Sequence, residues 1–293
     1  MSNYCGPPSD CAPFVSQAYV TQSAALTIPI GGPLLGDRYK VLAPLGMGGC
    51  AGVYLARDEV RHEDVALKIA EAGPCDPETA RLVLTNESRI YSRITNHQHV
   101  LQVHDLHYFP WRKSGILAMS MEYAKGGSFR HWLLQHKDDH HTRITQGLEY
   151  FKQMCLGASA VHQARAVHLD LKPDNFLFVG RVLKVSDFGA ARLLQTIQLS
   201  SSMPSRFLVP RIGTPVYMAP EQFTAAHPDD LDERVDVYAL GCIAYEIFHP
   251  QCHPPFGGTE NEVRERHLHL TPPPLVGVDA NVARVVARCL EKI

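Results

Sequence analysis

The chain has 293 residues and a formal net charge of −2 at pH 7, so it is long enough for a two-lobed domain with a buried core. This balance gives no support for a nucleic-acid or anionic-membrane partner. No run of about 18 apolar residues occurs, and the N-terminus lacks a basic start before an apolar core, so neither a membrane span nor a secretory signal is predicted.

Cysteine and histidine usage gives no sign of a metal site. The eight cysteines are scattered, without a spacing typical of zinc binding or of a disulfide framework. The sixteen histidines are densest at residues 136–141 and 249–253. The first stretch falls between two expected helices and the second is broken by prolines, so both are interpreted as loops.

Residues 1–36 are rich in proline, glycine, serine, threonine and alanine, which predicts a flexible arm. Its middle, residues 14–30, is apolar enough to dock on the rest of the chain as a regulatory element. Plain disorder is the alternative.

A glycine-rich segment follows between two short apolar runs, residues 39–45 and 53–56, which both predict strands. The glycines would therefore lie at a hairpin, where the backbone can approach phosphate oxygens closely. An ordinary glycine-rich turn is the alternative. The pattern departs from G-x-G-x-x-G, because Ala51 stands at the third glycine position and Gly52 comes one place late.

Residues 65–68 predict a strand that ends in Lys68, a lysine able to reach nucleotide phosphates. Residues 77–94 then predict a helix that carries Glu87, placed to pair with that lysine. The apolar residues expected on or near one face of this helix are Leu82, Ile90 and Ile94. Residues 116–124 predict a further strand, which Lys125 and two glycines end.

The most informative stretch is His-Leu-Asp-Leu-Lys-Pro-Asp-Asn at residues 168–175, with Asp-Phe-Gly following at residues 187–189. It places an acid, a lysine and an asparagine on one loop, with a second acid behind a strand. These are the groups needed to deprotonate a hydroxyl, support a transferring phosphoryl group and hold magnesium.

Taken together, the motifs over about residues 39–290 resemble the eukaryotic-type serine/threonine protein kinases, and most closely their bacterial branch. The resemblance implies an α+β, bilobal fold with a small β-rich N-lobe and a larger, mainly helical C-lobe. The expected boundaries are an arm at 1–36, an N-lobe at 37–121, a hinge at 122–127 and a C-lobe at 128–293. ATP would lie in the cleft between the lobes.

The resemblance also implies the catalytic roles. Asp170 matches the base that accepts the proton of the substrate hydroxyl, and Lys172 matches the lysine that contacts the γ-phosphate. Lys68 and Glu87 match the activating ion pair. His168, just before the base, is interpreted as a packed core histidine.

The implied cofactors are ATP and Mg²⁺, with Asn175 and Asp187 as the magnesium ligands. Backbone groups of Glu122 and Ala124 would bind the adenine edge. The full set of implied nucleotide contacts is Leu45, Gly46, Gly48, Gly49, Val53, Ala66, Lys68, Met121, Glu122, Ala124 and Leu177.

Residues 213–221, Gly-Thr-Pro-Val-Tyr-Met-Ala-Pro-Glu, resemble the peptide-docking end of a kinase activation segment. The resemblance implies that Thr214 contacts the catalytic loop and favours serine or threonine substrates. It also implies that Asp236 is the buried helix acid that holds the catalytic loop in place.

Two further features differ from the family pattern: the residue before Asp170 and the partner of Glu221. Leu169 replaces the arginine that pairs with an activation-loop phosphate in many members, so this would be a non-RD kinase with constitutive activity or another mode of regulation. Family members continue with a further helix, whose arginine pairs with the glutamate at Glu221. The C-lobe thus lacks its last helix, or Glu221 has another partner, for which Arg288 is an option.

The activation segment at 187–221 also carries hydroxyl residues that are either autophosphorylation sites or merely polar loop residues. They are Thr196, Ser200, Ser201, Ser202 and Ser205.

The sequence therefore predicts an ATP-dependent protein serine/threonine kinase that acts on proteins in the cytoplasm. Two alternatives stay open. A pseudokinase-type binding scaffold would need a broken Lys68, Asp170 or Asp187 position, and none is broken. A small-molecule phosphotransferase would not need the docking pattern at 213–221.

Overall fold

The computed structural model describes residues 28, 30–48, 50–70, 76–94, 96–111, 114–194, 213–227 and 230–292. The chain divides into two compact units. Unit 1 contains Met1–Thr85 and Val103–Tyr123, and unit 2 contains Asn86–Gln102 and Ala124–Ile293.

Unit 1 is built on one antiparallel sheet of five strands in the order β1-β2-β3-β5-β4. Its elements in chain order are β1 (Tyr39–Met47), β2 (Gly52–Asp58), β3 (Glu63–Ile69), α1 (Pro77–Arg93), β4 (Val103–Trp111) and β5 (Ser114–Glu122). Helix α1 crosses the unit boundary, so its C-terminal half belongs to unit 2. The predicted strands and the helix at 77–94 are confirmed, whereas β4 was not predicted.

One face of this sheet is apolar. Tyr39, Leu67 and Ile69 are fully buried and belong to a single core cluster, which also contains Ile28 and Leu35. Each such side chain contributes roughly 1.5–3 kcal/mol on burial. Ile28 and Leu35 fall within the arm expected at residues 1–36; residues 1–27 and 29 lie outside the described residues.

Unit 2 is mainly helical, with two short antiparallel strand pairs, β6–β9 and β7–β8. Its further elements are α2 (Phe129–Gln135), α3 (His140–Gln163), β6 (Ala166–Val167), β7 (Phe176–Val179), β8 (Val182–Val185), β9 (Arg192–Leu193), α4 (Pro220–Thr224), α5 (Arg234–Phe248), α6 (Glu260–His269) and α7 (Ala280–Cys289). The expected α+β class is confirmed. No helix within the described ranges has the length and apolar character needed to cross a membrane.

Helix α5 is the centre of unit 2, and nearly every residue from Val235 to Phe248 is buried. A helix that is apolar on all sides has to be surrounded by other elements. Gly147 permits α3 to pack closely against α5, because a Cβ at this position would lie 2.5 Å from the side chain of Ile247. The two buried acids of α5, Asp236 and Glu246, are therefore fixed in a rigid environment.

Arg143 of α3 is fully buried and fixes the end of α5. Its guanidinium donates hydrogen bonds to the backbone carbonyls of Ile247 at 3.2 Å, His249 at 2.9 Å and Pro250 at 2.8 Å. Carbonyls at a helix C-terminus lack intrahelical partners and carry partial negative charge, so a cation satisfies both needs.

Three sequence expectations need correction. Leu82 is 37% exposed and does not share the buried face of α1, whereas Ile90, also expected there, is buried together with Leu84. His140 and His141 lie in the first turn of α3 and not in a loop. Cys50 is disulfide-bonded, which the scattered spacing of the cysteines did not indicate.

Candidate active site

The loop between β6 and β7 is held by the buried carboxylate of Asp236. Its Oδ2 accepts from the backbone N–H of His168 at 2.8 Å, and its Oδ1 accepts from the N–H of Leu169 at 2.9 Å. The ring of His162 lies 2.8 Å from Oδ2. Leu169 has a φ of 67°, which is unfavourable for a branched side chain and persists only when the surroundings impose it. The role expected of Asp236 is thus confirmed by these contacts.

His168 packs inside unit 2 and connects two segments of the site. Its ring is fully buried, with Nδ1 accepting from the N–H of Asp170 at 3.3 Å and Nε2 lying 3.0 Å from the carbonyl of Ser186. This pattern requires the tautomer with hydrogen on Nε2. The interpretation of His168 as a packed core histidine is confirmed.

The carboxylate of Asp170 is shared between Lys172 and Thr214. Lys172 Nζ donates to Asp170 Oδ2 at 2.7 Å and to Thr214 Oγ1 at 2.9 Å. Thr214 donates to Asp170 Oδ1 from its N–H at 2.8 Å and from its hydroxyl at 3.0 Å. An oriented carboxylate beside an ammonium group is suited to taking a proton while negative charge develops nearby.

Asn175 is joined to the backbone of Asp170 by a hydrogen bond, and Asp187 follows a residue that is bonded to Asn175. The Asn175 side-chain N–H donates to the carbonyl of Asp170 at 2.8 Å. The N–H and the hydroxyl of Ser186 both donate to the carbonyl of Asn175, at 2.8 Å and 3.0 Å respectively. Asp187 follows with a φ of 62°, and its N–H donates to the Tyr91 hydroxyl at 3.2 Å.

This pair of residues has the donor chemistry that magnesium prefers. Since the amide nitrogen of Asn175 is occupied by Asp170, its amide oxygen, which has no hydrogen bond within the described residues, is left as a ligand. The Asp187 carboxylate supplies a second hard oxygen donor. In the described part of the chain, including this site, no cluster of three or more His, Cys, Asp or Glu side chains is arranged to hold a metal ion.

Residues 213–221, called the docking segment below, are anchored to α2 and α5. The Tyr217 hydroxyl donates to Glu246 at 2.7 Å, and Arg130 of α2 donates to Glu246 at 2.6 Å and also contacts the Tyr217 hydroxyl. Burial, and then the nearby Glu246 carboxylate, raise the pKa of Tyr217 above its ordinary value, so the phenol stays protonated and donates. Arg130 also lies 3.4 Å from Asp174 of the catalytic loop.

A pocket is lined by residues of this segment and of α6. Its lining includes Gly213, Pro215, Met218, Phe223, Glu260 and Arg264. It combines an apolar floor with one acidic and one basic side chain, and it begins at the residue next to Thr214.

The expected nucleotide contacts of unit 1 are brought together by the strand register. Val53 pairs with Gly46 on one side and with Lys68 on the other, and Ala66 pairs with Met121. Leu45 is in β1, Gly48 is in the β1–β2 hairpin, Glu122 ends β5, and Gly49 lies outside the described residues.

The glycine-rich segment forms the expected hairpin, in which the N–H of Gly48 donates to the carbonyl of Ala51 at 2.8 Å. Ala51 is buried and does not have a positive φ, so its position in the loop does not require glycine.

The remaining expected residues lie in unit 2 or at its boundary. Glu87 is buried in the C-terminal half of α1, Leu177 is in β7, and Ala124 follows β5 and its last residue Glu122. Glu221 has no ion pair within the described residues, and Arg288 pairs instead with Glu291 at 3.5 Å. The candidate phosphorylation sites at 196–205 lie outside the described residues.

Sequence reasoning missed several residues of the site. Arg130, Glu246 and Gln222 all contact the docking segment or the catalytic loop, yet none lies within a recognised motif position. The one available signal was Glu246, which stands with Asp236 in the mostly apolar stretch 235–248, since a buried charge needs a partner.

Comparison with known proteins shows the family of this chain. A family model described as protein kinase domain matches residues 39–291. Serine/threonine-protein kinase PknB of Mycobacterium leprae is 33% identical over 266 residues, which are 89% of this chain and 40% of that protein. PknB of Mycobacterium tuberculosis is 31% identical over 264 residues, which are 88% of this chain and 40% of that protein.

Serine/threonine-protein kinase Pkn1 of Myxococcus xanthus is 31% identical over 276 residues, which are 89% of this chain and 36% of that protein. The chain thus spans less than half the length of these relatives. The family model covers nearly all of the chain, so the chain belongs to the protein kinase family, with bacterial serine/threonine-protein kinases among its relatives.

Proposed function

We propose that this chain is a protein serine/threonine kinase that transfers the γ-phosphoryl group of ATP to serine or threonine hydroxyls. The observation that carries the proposal is the Asp170 carboxylate, held at one oxygen by Lys172 and at the other by Thr214. A residue of the docking segment is thereby joined directly to the proposed base, so a bound peptide would present its hydroxyl there.

The proposed reaction asks the protein for a proton acceptor and for fixed positive charge. Asp170 accepts the proton of the substrate hydroxyl as its oxygen attacks the γ-phosphorus. Lys172 stays beside the carboxylate and offsets the negative charge that develops on the transferring group. The leaving group is ADP.

Asn175 and Asp187 would hold magnesium, which supplies charge neutralisation at the phosphate oxygens when bound. Lys68, which is half-buried on β3, would contact the α- and β-phosphates, and Glu87 is proposed as its partner. Residues 122–127 are proposed as the hinge.

The need for ATP favours the cytoplasm, whereas the disulfide at Cys50 counts against a reducing compartment.

Phosphate transfer from labelled ATP tests the proposal, measured with magnesium on the chain itself and on a generic basic protein. We expect label on serine or threonine, and a fall of about 10²–10⁴-fold in the rate for Asp170→Asn. A rate that is unchanged in this variant would contradict the proposal. Nucleotide binding without any transfer would favour the scaffold alternative.

A further inference from the structure

Gln222 is a buried side chain that joins the docking segment to the catalytic loop. It is 2% exposed and lies in the first turn of α4. Its amide nitrogen donates to the carbonyl of Leu169 at 2.9 Å, and its amide oxygen accepts from the N–H of Ala219 at 2.9 Å. One carboxamide therefore fixes two backbone groups that are fifty residues apart (Leu169 and Ala219).

The carbonyl of Leu169 is approached by Gly213, at the start of the docking segment, and by Gln222, just after its end. A Cβ at Gly213 would lie 3.1 Å from this oxygen, and Gly213 has a φ of 137°, which only glycine adopts readily. The N–H of Leu169 is held by Asp236 at 2.9 Å. Both peptide groups of this left-handed residue are thus fixed by buried side chains from two other elements.

The side chain of Leu169 cannot form an ion pair, and it is 7% exposed. The neighbouring Asp170 nevertheless stays in hydrogen-bond contact with Thr214, at 2.8 Å and 3.0 Å. Besides these bonds, a hydrogen bond from the neutral side chain of Gln222 to the backbone of Leu169 joins the two segments.

We propose that Gln222 is a positioning residue, which keeps Thr214 in register with Asp170 without a phosphate on the activation segment. The proposal rests on the proposed kinase function for its effect on rate. Its structural part, the coupling between Gln222 and the Thr214–Asp170 contact, can be tested without that function.

The first test compares Gln222→Met with Gln153→Met. Gln153 is a matched control, because its side chain also accepts from a backbone N–H, that of Leu183 at 2.8 Å, but contacts neither the catalytic loop nor the docking segment in any described hydrogen bond. We expect kcat to fall about tenfold for Gln222→Met, with an unchanged KM for ATP, and to stay within about twofold for Gln153→Met. Equal kcat values in the two variants would overturn the proposal.

Hydrogen exchange gives a reading that does not depend on activity. The backbone N–H groups of Thr214 and Ala219 should exchange at least about tenfold faster in Gln222→Met, whereas Gln153→Met should affect Leu183 alone. Unchanged exchange at Thr214 would overturn the proposal even if the wild-type chain transferred no phosphate. Faster exchange in an inactive chain would uphold the coupling and refute only the kinase function.

Gln222→Glu provides a pH-dependent rescue. A protonated carboxyl group can donate to Leu169 and accept from Ala219 as the carboxamide does, but a carboxylate cannot donate. Burial raises the pKa of such a carboxyl group, so kcat relative to wild type should rise as the pH falls from about 8 to about 6. A ratio that does not change with pH would contradict the positioning role.

Phosphatase treatment of the wild-type chain tests the last part of the proposal. We expect kcat to stay within about twofold after complete removal of phosphate from the activation segment. A loss of about tenfold or more, by the same reasoning, would show that a phosphate holds the segment and would overturn the proposal.

Discussion

At the scale of single residues, the Thr214 hydroxyl serves two partners at once. It donates to Asp170 Oδ1 at 3.0 Å and accepts from Lys172 Nζ at 2.9 Å. A serine could make both contacts, whereas valine has the same shape without the hydroxyl group. The pair of substitutions therefore separates hydrogen bonding from packing.

We expect Thr214→Val to lower kcat by at least about tenfold, because the base and the lysine lose their common partner and with it their relative orientation. Thr214→Ser should retain kcat within about threefold by the same argument. Steady-state phosphate transfer to a protein substrate measures both. Similar losses in the two variants would show that the methyl group, and not the hydroxyl, is what matters.

The residues with proposed chemical roles were named from sequence motifs, and the side chains that hold them in place were not. Asp170, Asn175 and Asp187 lie in short motifs in which neighbours along the chain define the site. Gln222 and Arg130 act on residues 53 and 116 positions away along the chain, and no local pattern reports such a contact. Their importance follows from burial and distance, which only the folded chain shows.

At the scale of secondary structure, α6 is fixed to its neighbours by the buried ring of His267. Its Nδ1 lies 2.8 Å from the Tyr238 hydroxyl, and the rings of Phe223 and Phe256 pack against it at 6.0 Å and 5.0 Å between centroids. Burial, and then the positive charge of Lys292, lower the pKa of His267 to about 4. The folded chain therefore keeps this ring neutral.

Acidification should consequently destabilise the fold. The unfolded chain binds a proton at His267 near the ordinary pKa of 6.5, whereas the folded chain resists protonation until about 4. The contribution of His267 to the free energy of unfolding is thus complete above pH 6.5. It falls below that pH, by about 2 kcal/mol between about pH 7 and about pH 5. Chemical denaturation at several pH values measures this loss.

The variant His267→Phe should lose that part of the pH dependence, and the exposed neighbour His269→Gln should keep it. An identical pH slope in wild type and His267→Phe would show that this ring does not titrate as described. The comparison does not require His267→Phe to be as stable as wild type, because only the slope is compared.

Elements with a clear apolar period were predicted within a few residues, as at β1 and α1. Strand β4 was missed although it lies at an edge of the sheet like β1, because its side chains are mostly half-exposed and it contains Pro110. Such a strand has no continuous apolar run, so sequence periodicity does not report it. Leu82 of α1 was assigned to the buried face in error, because the spacing of the apolar residues fits more than one face of this helix.

At the scale of the whole chain, the proposed chemistry is divided between the two units. Unit 1 carries the glycine-rich hairpin and Lys68, while unit 2 carries Asp170, Asn175 and Asp187. The step that accepts the proton should therefore depend on unit 2, and the contribution of each unit to nucleotide binding is tested with variants of its own residues.

We expect magnesium and ATP together to raise the melting temperature by roughly 5 °C when the nucleotide is in large excess over its Kd. Lys68→Met and Asp187→Asn should each remove most of this rise, because each loses a phosphate or metal contact. Asp170→Asn should keep it, since the base is not needed for binding. Differential scanning calorimetry with and without a chelator measures these shifts.

A full rise in Lys68→Met or Asp187→Asn would exclude that residue from the nucleotide site. Loss of the rise in Asp170→Asn would show that this carboxylate acts in binding as well as in proton transfer.

Helix α5 also sets the distance between two parts of the site. Asp236 holds the catalytic loop and Glu246 holds the docking segment, ten positions apart on one buried helix, which corresponds to about 15 Å of helical rise. Inserting one residue between them would turn one carboxylate by about 100° relative to the other, although every side chain of the site would remain. The number of residues between Asp236 and Glu246 is therefore as strict a requirement as the identity of the proposed base.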